Sequence, residues 1–215
     1  MYIPKHFSSD DVELAHEIVR DNAFALLMTA PVTAEDAPDI SHLPMLWLTD
    51  GAGHGRVIGH VARANSHWQR FDGSTTSLAI FSGPHAYLSP NYYVSAAMVP
   101  TWNYAAVHLY GKPVTVDDDA GASAVLNTLV SAFENDTTGN WSTARLPDGH
   151  LERQLKGIVA FEMPVEHIDI KLKMSQNRKA EDIGGVINAL SASPCQDDRD
   201  TASMMQALNK TTLNS

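Results

Sequence analysis

The sequence predicts a mainly β domain, an antiparallel sheet closed into a small barrel and flanked by helices. Three observations predict it. Six or seven short apolar or alternating segments are separated by Pro, Gly and Asp turns, the spacing of strands. They follow one another without the regular strand–helix alternation of a parallel sheet. Residues 104 to 110 alternate strictly, with Tyr104, Ala106, His108 and Tyr110 on one face and Ala105, Val107 and Leu109 on the other.

The elements follow in order. In "DDVELAHEIVRDN", Leu14, Ala15, Ile18 and Val19 form one helical stripe, and Asp10 with Glu13 resembles a capping box. "FALLMTA", "DISHLPMLWLTD" and "RVIGHVARA" read as strands, and "TSLAIFSG" as another that ends at the Gly83-Pro84 break. The 104–110 strand and a short one in "KPVTV" come next. Val125, Leu126, Leu129, Val130 and Phe133 recur at helical spacing, and a short helix is expected near "GHLERQLK". "GIVAFEM" and "VEHIDIKLKM" read as two strands, the second with Ile168, Ile170, Leu172 and Met174 inward and His167, Asp169, Lys171 and Lys173 outward. Ile183, Val186, Ile187 and Leu190 indicate a helix, which Gly184 and Gly185 weaken by roughly 1 kcal/mol each. Residues 1–190 are expected to form one domain, and 191–215 a polar tail that is partly disordered or helical, with a helix around "TASMMQALNK".

The composition excludes several classes. A chain of 215 residues with 44% hydrophobic and 19% charged residues is ordinary for one globular domain. No apolar run approaches the ~18 residues of a spanning helix. "MYIPKHFSSDD" has no basic region followed by an apolar stretch, so a cytoplasmic location and no membrane partner are expected. Cys195 is the single cysteine, which leaves no disulfide or CxxC pair. A net charge of −10 argues against direct binding to a nucleic-acid backbone, although a small anion needs only a few local donors. GxGxxG, P-loop, GxSxG and HExxH motifs are all absent.

Four stretches carry the candidate chemistry. His54 and His60 alone approach metal-ligand spacing, and the ordinary role of such histidines is a satisfied surface or core residue. In "GHVARANSHW" a strand ends where amides become free, with Arg63 placed to hold a phosphate and Asn65 and Ser66 to add neutral donors; an ion pair to one of the 25 acidic residues explains Arg63 equally well. Tyr87, Tyr92, Tyr93, Trp102 and Tyr104 fall within eighteen residues, interleaved with Ser89, Pro90, Pro100, Thr101 and Asn103. Core filling, a planar heteroaromatic ligand and a protein interface each account for that pattern. "KLKMSQNRK" sets Lys171, Lys173, Arg178 and Lys179 beside the amides of Gln176 and Asn177, either a solvated basic face or a local seat for a phosphate.

Seven stretches, "MYIPKHF", "HLP", "GHVARAN", "FSGPHAYLSP", "VPTWNYAAVHLYG", "GIVAFE" and "KMSQNR", stand in the order found in the PaiB-type FMN-binding negative transcriptional regulators, which the chain resembles from Met1 to about Leu190. The resemblance implies a split β-barrel of the flavin reductase and pyridoxamine-phosphate oxidase type, a homodimer with FMN at its interface, and repression of transcription, a role that allows direct DNA binding although the charge does not support it. It implies cofactor contacts from Arg63, Asn65, Ser66, Trp102, Asn103, Gln176 and Arg178, with arginine at the phosphate and Trp102 and Asn103 near the rings. Tyr92 stands where the family has tryptophan, and Met174 where it has leucine, a near volume-conserving exchange. Two alternatives are a flavin-dependent oxidoreductase, for which no acid or base is identified, His108 being a candidate that a barrel histidine hydrogen-bonded to a neighbouring strand explains better, and a heme-binding split barrel.

Overall fold

The computed structural model describes residues 1–33, 35–49 and 53–210; Asp50 of the second predicted strand and residues 211–215 of the tail lie outside them. The strands are β1 (Phe24–Thr29), β2 (Asp39–Leu48), β3 (Arg56–Ala62), β4 (Ser77–Leu88), β5 (Thr101–Gly111), β6 (Val114–Thr115) and β7 (Ile158–Lys173). The helices are α1 (Val12–Asp21), α2 (Asp119–Phe133), α3 (His150–Leu155), α4 (Ala180–Ser191) and α5 (Gln196–Leu208). The strand order is β3-β2-β1-β4-β5-β7-β6, and antiparallel pairing of β3 with β7 closes six of the strands into a barrel.

The chain forms two compact units. The first comprises Val19–Phe81 and His108–Ile168, and the second Met1–Ile18, Ser82–Val107 and the chain from Asp169. In the first, Leu27, Met45, Val57, Phe81, Phe161 and Met163 are fully buried. Gly59 is what lets the Phe161 ring in, because a Cβ there would stand 2.9 Å from that ring and 3.2 Å from Met45 Cγ. Helix α2 turns Val125 and Leu129 onto Leu46, Ile58 and Ala160, which fits the helical stripe read in the sequence. In the second unit, Ile183, Val186, Ile187 and Leu190 of α4 are buried with Ala202 and Met205 of α5.

Several elements differ from expectation for local reasons. Asp11, not Asp10, caps α1, its Oδ1 accepting from Leu14 N at 2.9 Å. Strand β4 continues through Gly83-Pro84, and Gly83 leaves room for α1: a Cβ there would meet Ile18 Cγ2 and Ala105 Cβ, both at 3.0 Å. The two strands read after residue 157 are one, β7, which passes through Pro164 opposite Arg56, the first residue of β3. Lys171, expected outward, is only 8% exposed. Its Nζ donates to Tyr2 O at 2.9 Å and lies over the Tyr2 and Tyr104 rings at 5.6 and 5.2 Å, which replaces water with a carbonyl and two π faces. The helix expected around "TASMMQALNK" is α5, which begins earlier, at Gln196, and whose cap residue Asn209 donates to Met174 O at 3.0 Å and Met205 O at 2.8 Å.

Candidate functional site

The loop that leaves β3 in the first unit is built around Arg63. Its Nε donates to Lys156 O at 2.9 Å, its Nη2 to Ile158 O at 2.8 Å and its backbone N–H to Gly157 O at 2.8 Å. The guanidinium is therefore fixed on the start of β7 by carbonyls, and it pairs with no carboxylate among the described residues. Two of its five N–H donors are engaged, and the side chain remains exposed. Asn65 ties the next turn: its Oδ1 accepts from His67 N at 3.0 Å and its Nδ2 donates to Ser41 Oγ at 2.9 Å. Asn65 N–H is taken by Ala62 O at 2.9 Å, so the loop amides still without an acceptor among the described residues are those of Ala64 and Ser66.

His67, which the sequence did not single out, anchors this loop. It is 2% exposed, with Nδ1 2.9 Å from Ser41 Oγ and Nε2 2.8 Å from Thr29 Oγ1. Thr29 Oγ1 in turn lies 2.6 Å from Ser77 Oγ, so β1, β2 and β4 all grip the loop after β3. Burial holds the imidazole pKa below its ordinary value, with Asp39 opposing and Arg70 adding to the shift. The neutral ring has one donor and one acceptor nitrogen, which two hydroxyls can satisfy whichever tautomer is present. The signal available in the sequence was polar Thr29 and Ser41 at inward positions of otherwise apolar strands. A rigid loop presenting an arginine fork, two amides and the Ser66 hydroxyl has the donor set of a phosphate site.

The other predicted residues lie in the second unit. The two-residue period of β5 sends neighbours to opposite faces: Trp102 is 53% exposed and Asn103 is 1% exposed, so one face of the strand does not present both. Trp102 stands with Tyr87 at 5.8 Å between ring centroids, edge to face, and with His85 at 6.3 Å. Asn103 Nδ2 donates to Ser175 Oγ at 2.9 Å and to Met205 Sδ at 3.3 Å. Gln176 folds onto its own turn, Nε2 donating to Leu172 O at 2.5 Å and Oε1 accepting from Met174 N at 2.7 Å. It shapes the turn rather than reaching outward.

That turn borders a cleft of about 120 Å³, lined among others by Tyr93, Thr101, Asn103, Lys173, Ser175 and Arg178. Lys173 Nζ donates to Thr101 Oγ1 at 2.5 Å and to Trp102 O. Burial, followed by repulsion from Lys171 and Arg178, lowers the Lys173 pKa. The Arg178 guanidinium lies 6.0 Å from the Tyr93 ring centroid. Among the described residues, no group of three or more His, Cys, Asp or Glu could hold a metal ion. His108 is half-buried on β5, 6.3 Å from the Tyr110 ring.

With this geometry in view, comparison with known proteins places the chain. Residues 1–167 match the family described as "Putative FMN-binding domain". The chain belongs to this FMN-binding family. FMN is accordingly its cofactor, and the first-unit loop has the chemistry to take the phosphate. Over 206 residues, 96% of this chain and 97% of the relative, it is 35% identical to protease synthase and sporulation protein PAI 2 of Bacillus subtilis, so the PaiB-type resemblance holds across the chain. Among solved structures, an FAD and heme binding protein from Mycobacterium smegmatis superposes with a TM-score of 0.59 at 14% identity, covering 77% of this chain and 73% of that one. The flavocytochrome Anf3 of Azotobacter vinelandii gives 0.53 at 16% identity, over 73% of this chain and 66% of its own. At such identities the likeness is one of fold, the split barrel. No helix among the described residues is long and apolar enough to cross a membrane.

Proposed function

We propose that the chain is a flavin-dependent regulator of the PaiB type, a homodimer that shares FMN and whose assembly or partner contacts respond to flavin occupancy. The observation that carries this reading is the Arg63 loop, fixed by three donors to the start of β7 and by the buried His67 network while its outer side faces solvent. A site held rigid before its ligand arrives loses less entropy on binding. Arg63 and Ser66 hold the phosphate, Asn65 positions the loop, and FMN brings redox chemistry when bound.

Dimerisation is assigned to the apolar surface of the second unit. Tyr87 and Trp102, in edge-to-face contact, are 46% and 53% exposed there, Val94 and Val99 are exposed in the same unit, and exposed aromatic residues are the composition of an interface core. Membership of the family and the 35% identity to the Bacillus relative support the regulatory role. Direct contact with DNA is not part of it, because a chain of net charge −10 gains little from counterion release. The visible absorption spectrum of freshly purified protein tests the reading: flavin bands are expected, whereas a heme spectrum, or a colourless protein that takes up no added FMN, overturns it.

A further inference from the structure

The cleft of the second unit has charge and an unpaired hydroxyl that the phosphate seat on the Arg63 loop does not use. Lys173 and Arg178 both line it, and neither is in an ion pair among the described residues of an acidic protein. The neighbouring carboxylates are engaged elsewhere: Asp169 with the Met1 ammonium at 2.6 Å, and Asp182 with the Val94 and Ser95 amides at 3.0 and 2.8 Å. Lys173 has acceptors for two of its three protons, Thr101 Oγ1 and Trp102 O. Tyr93, only 9% exposed, lines the cleft with a hydroxyl that is buried and has no hydrogen-bond partner. A buried hydroxyl left unpaired costs about 1–3 kcal/mol, and a ligand acceptor removes that cost. Ser175 sits in the left-handed region at φ 65°, a conformation that side chains adopt at a cost and that recurs at binding sites.

The cleft belongs to the second unit and the Arg63 loop to the first. Lys173, Ser175 and Arg178 also lie beyond residue 167, where the match to the FMN-binding family ends.

We propose that the cleft of Lys173, Arg178, Tyr93, Thr101 and Ser175 binds the oxyanion group, phosphate or carboxylate, of a small ligand other than FMN. Lys173 and Arg178 supply charge, Arg178 with a planar fork suited to two oxygens, and the Tyr93 hydroxyl donates to a third position. Asn103, through its bond to Ser175, and Gln176, through its clasp on the turn, are positioning residues.

Calorimetric titration of the FMN-loaded protein with inorganic phosphate, and separately with acetate, tests the assignment. One site per chain is expected for at least one anion, with the flavin spectrum unchanged. Lys173→Met and Arg178→Met should each weaken that anion by tenfold or more, and Lys173→Met should leave FMN affinity within twofold. Tyr93→Phe, which keeps the ring and removes only the hydroxyl, should weaken it several-fold. Three results overturn the proposal: neither anion binds saturably, the variants bind it as wild type does, or Arg178→Met and Lys173→Met lose FMN itself, which gives the cleft to the flavin phosphate. FMN loading is read beforehand by absorption, so a chain that takes no flavin refutes the regulator reading, and titration of that same protein still decides the cleft.

Discussion

Replacing His67 with leucine isolates the network under the Arg63 loop. Leucine is close enough in size to avoid a large cavity, so the change is mainly the loss of two hydrogen bonds, at 2.9 Å to Ser41 and 2.8 Å to Thr29. Thr29 keeps Ser77 and Ser41 keeps Asn65, so each hydroxyl retains one partner. Two buried bonds at about 1 kcal/mol each, plus partial desolvation of the hydroxyls, give a loss of about 2–3 kcal/mol. At ~2–4 °C per kcal/mol for a domain of this size, Tm should fall by roughly 4–12 °C at pH 7.5. Acid adds a second signature. Burial keeps the His67 pKa below 6.5, so as pH drops below 6.5 the unfolded chain takes a proton that the native site resists, and stability falls. His60 is shifted the same way by burial, but it is present in both proteins. The Tm gap between wild type and His67→Leu should therefore narrow between pH 7.5 and 5.5 in differential scanning calorimetry. A gap that does not change with pH, or a variant as stable as wild type at pH 7.5, refutes the reasoning.

The two glycines of α4 should behave oppositely. Gly184→Ala meets nothing within 4 Å and should stabilise by about 1 kcal/mol, whereas Gly185→Ala would put a Cβ 2.4 Å from Tyr92 O and should destabilise despite the better helix former, as urea titration will show. Light scattering should report about twice the 23.4 kDa chain mass, and Trp102→Glu, which charges the centre of the exposed aromatic patch, should shift it toward the monomer without changing the circular dichroism.

The barrel was legible because its strands carry the two-residue period, most plainly in residues 104–110, where the predicted alternation is the observed one. The same period extends back to Thr101, and following it two residues further separates Trp102 from Asn103. Other features depend on contacts that local pattern does not carry. Gly83-Pro84 reads as a stop because the pair is a strong punctuator, yet Gly83 is the point where Ile18 of a distant helix approaches the sheet. Lys171 reads as outward on alternation alone, and Tyr2, 169 residues earlier, covers it. Residue types marked the Arg63 loop, but the residue that anchors it, His67, acts through Ser41 and Thr29 at separations of 26 and 38. The basic run in "KLKMSQNRK" was visible as charge; the enclosure that makes it a cleft comes from the distant Phe7, Tyr93 and Thr101.

The central claim is that FMN is held by its phosphate on the Arg63 loop. Calorimetric titration of FMN and riboflavin into wild type and Arg63→Ala tests it most directly, with light scattering and Tm recorded for each, because Arg63 also bonds Lys156 O and Ile158 O. Loss of a charge-assisted phosphate contact should cost on the order of 2 kcal/mol, about thirtyfold in Kd for FMN, with riboflavin binding unchanged. Wild type binding both flavins equally, or a variant that keeps full FMN affinity in a folded protein, would contradict it.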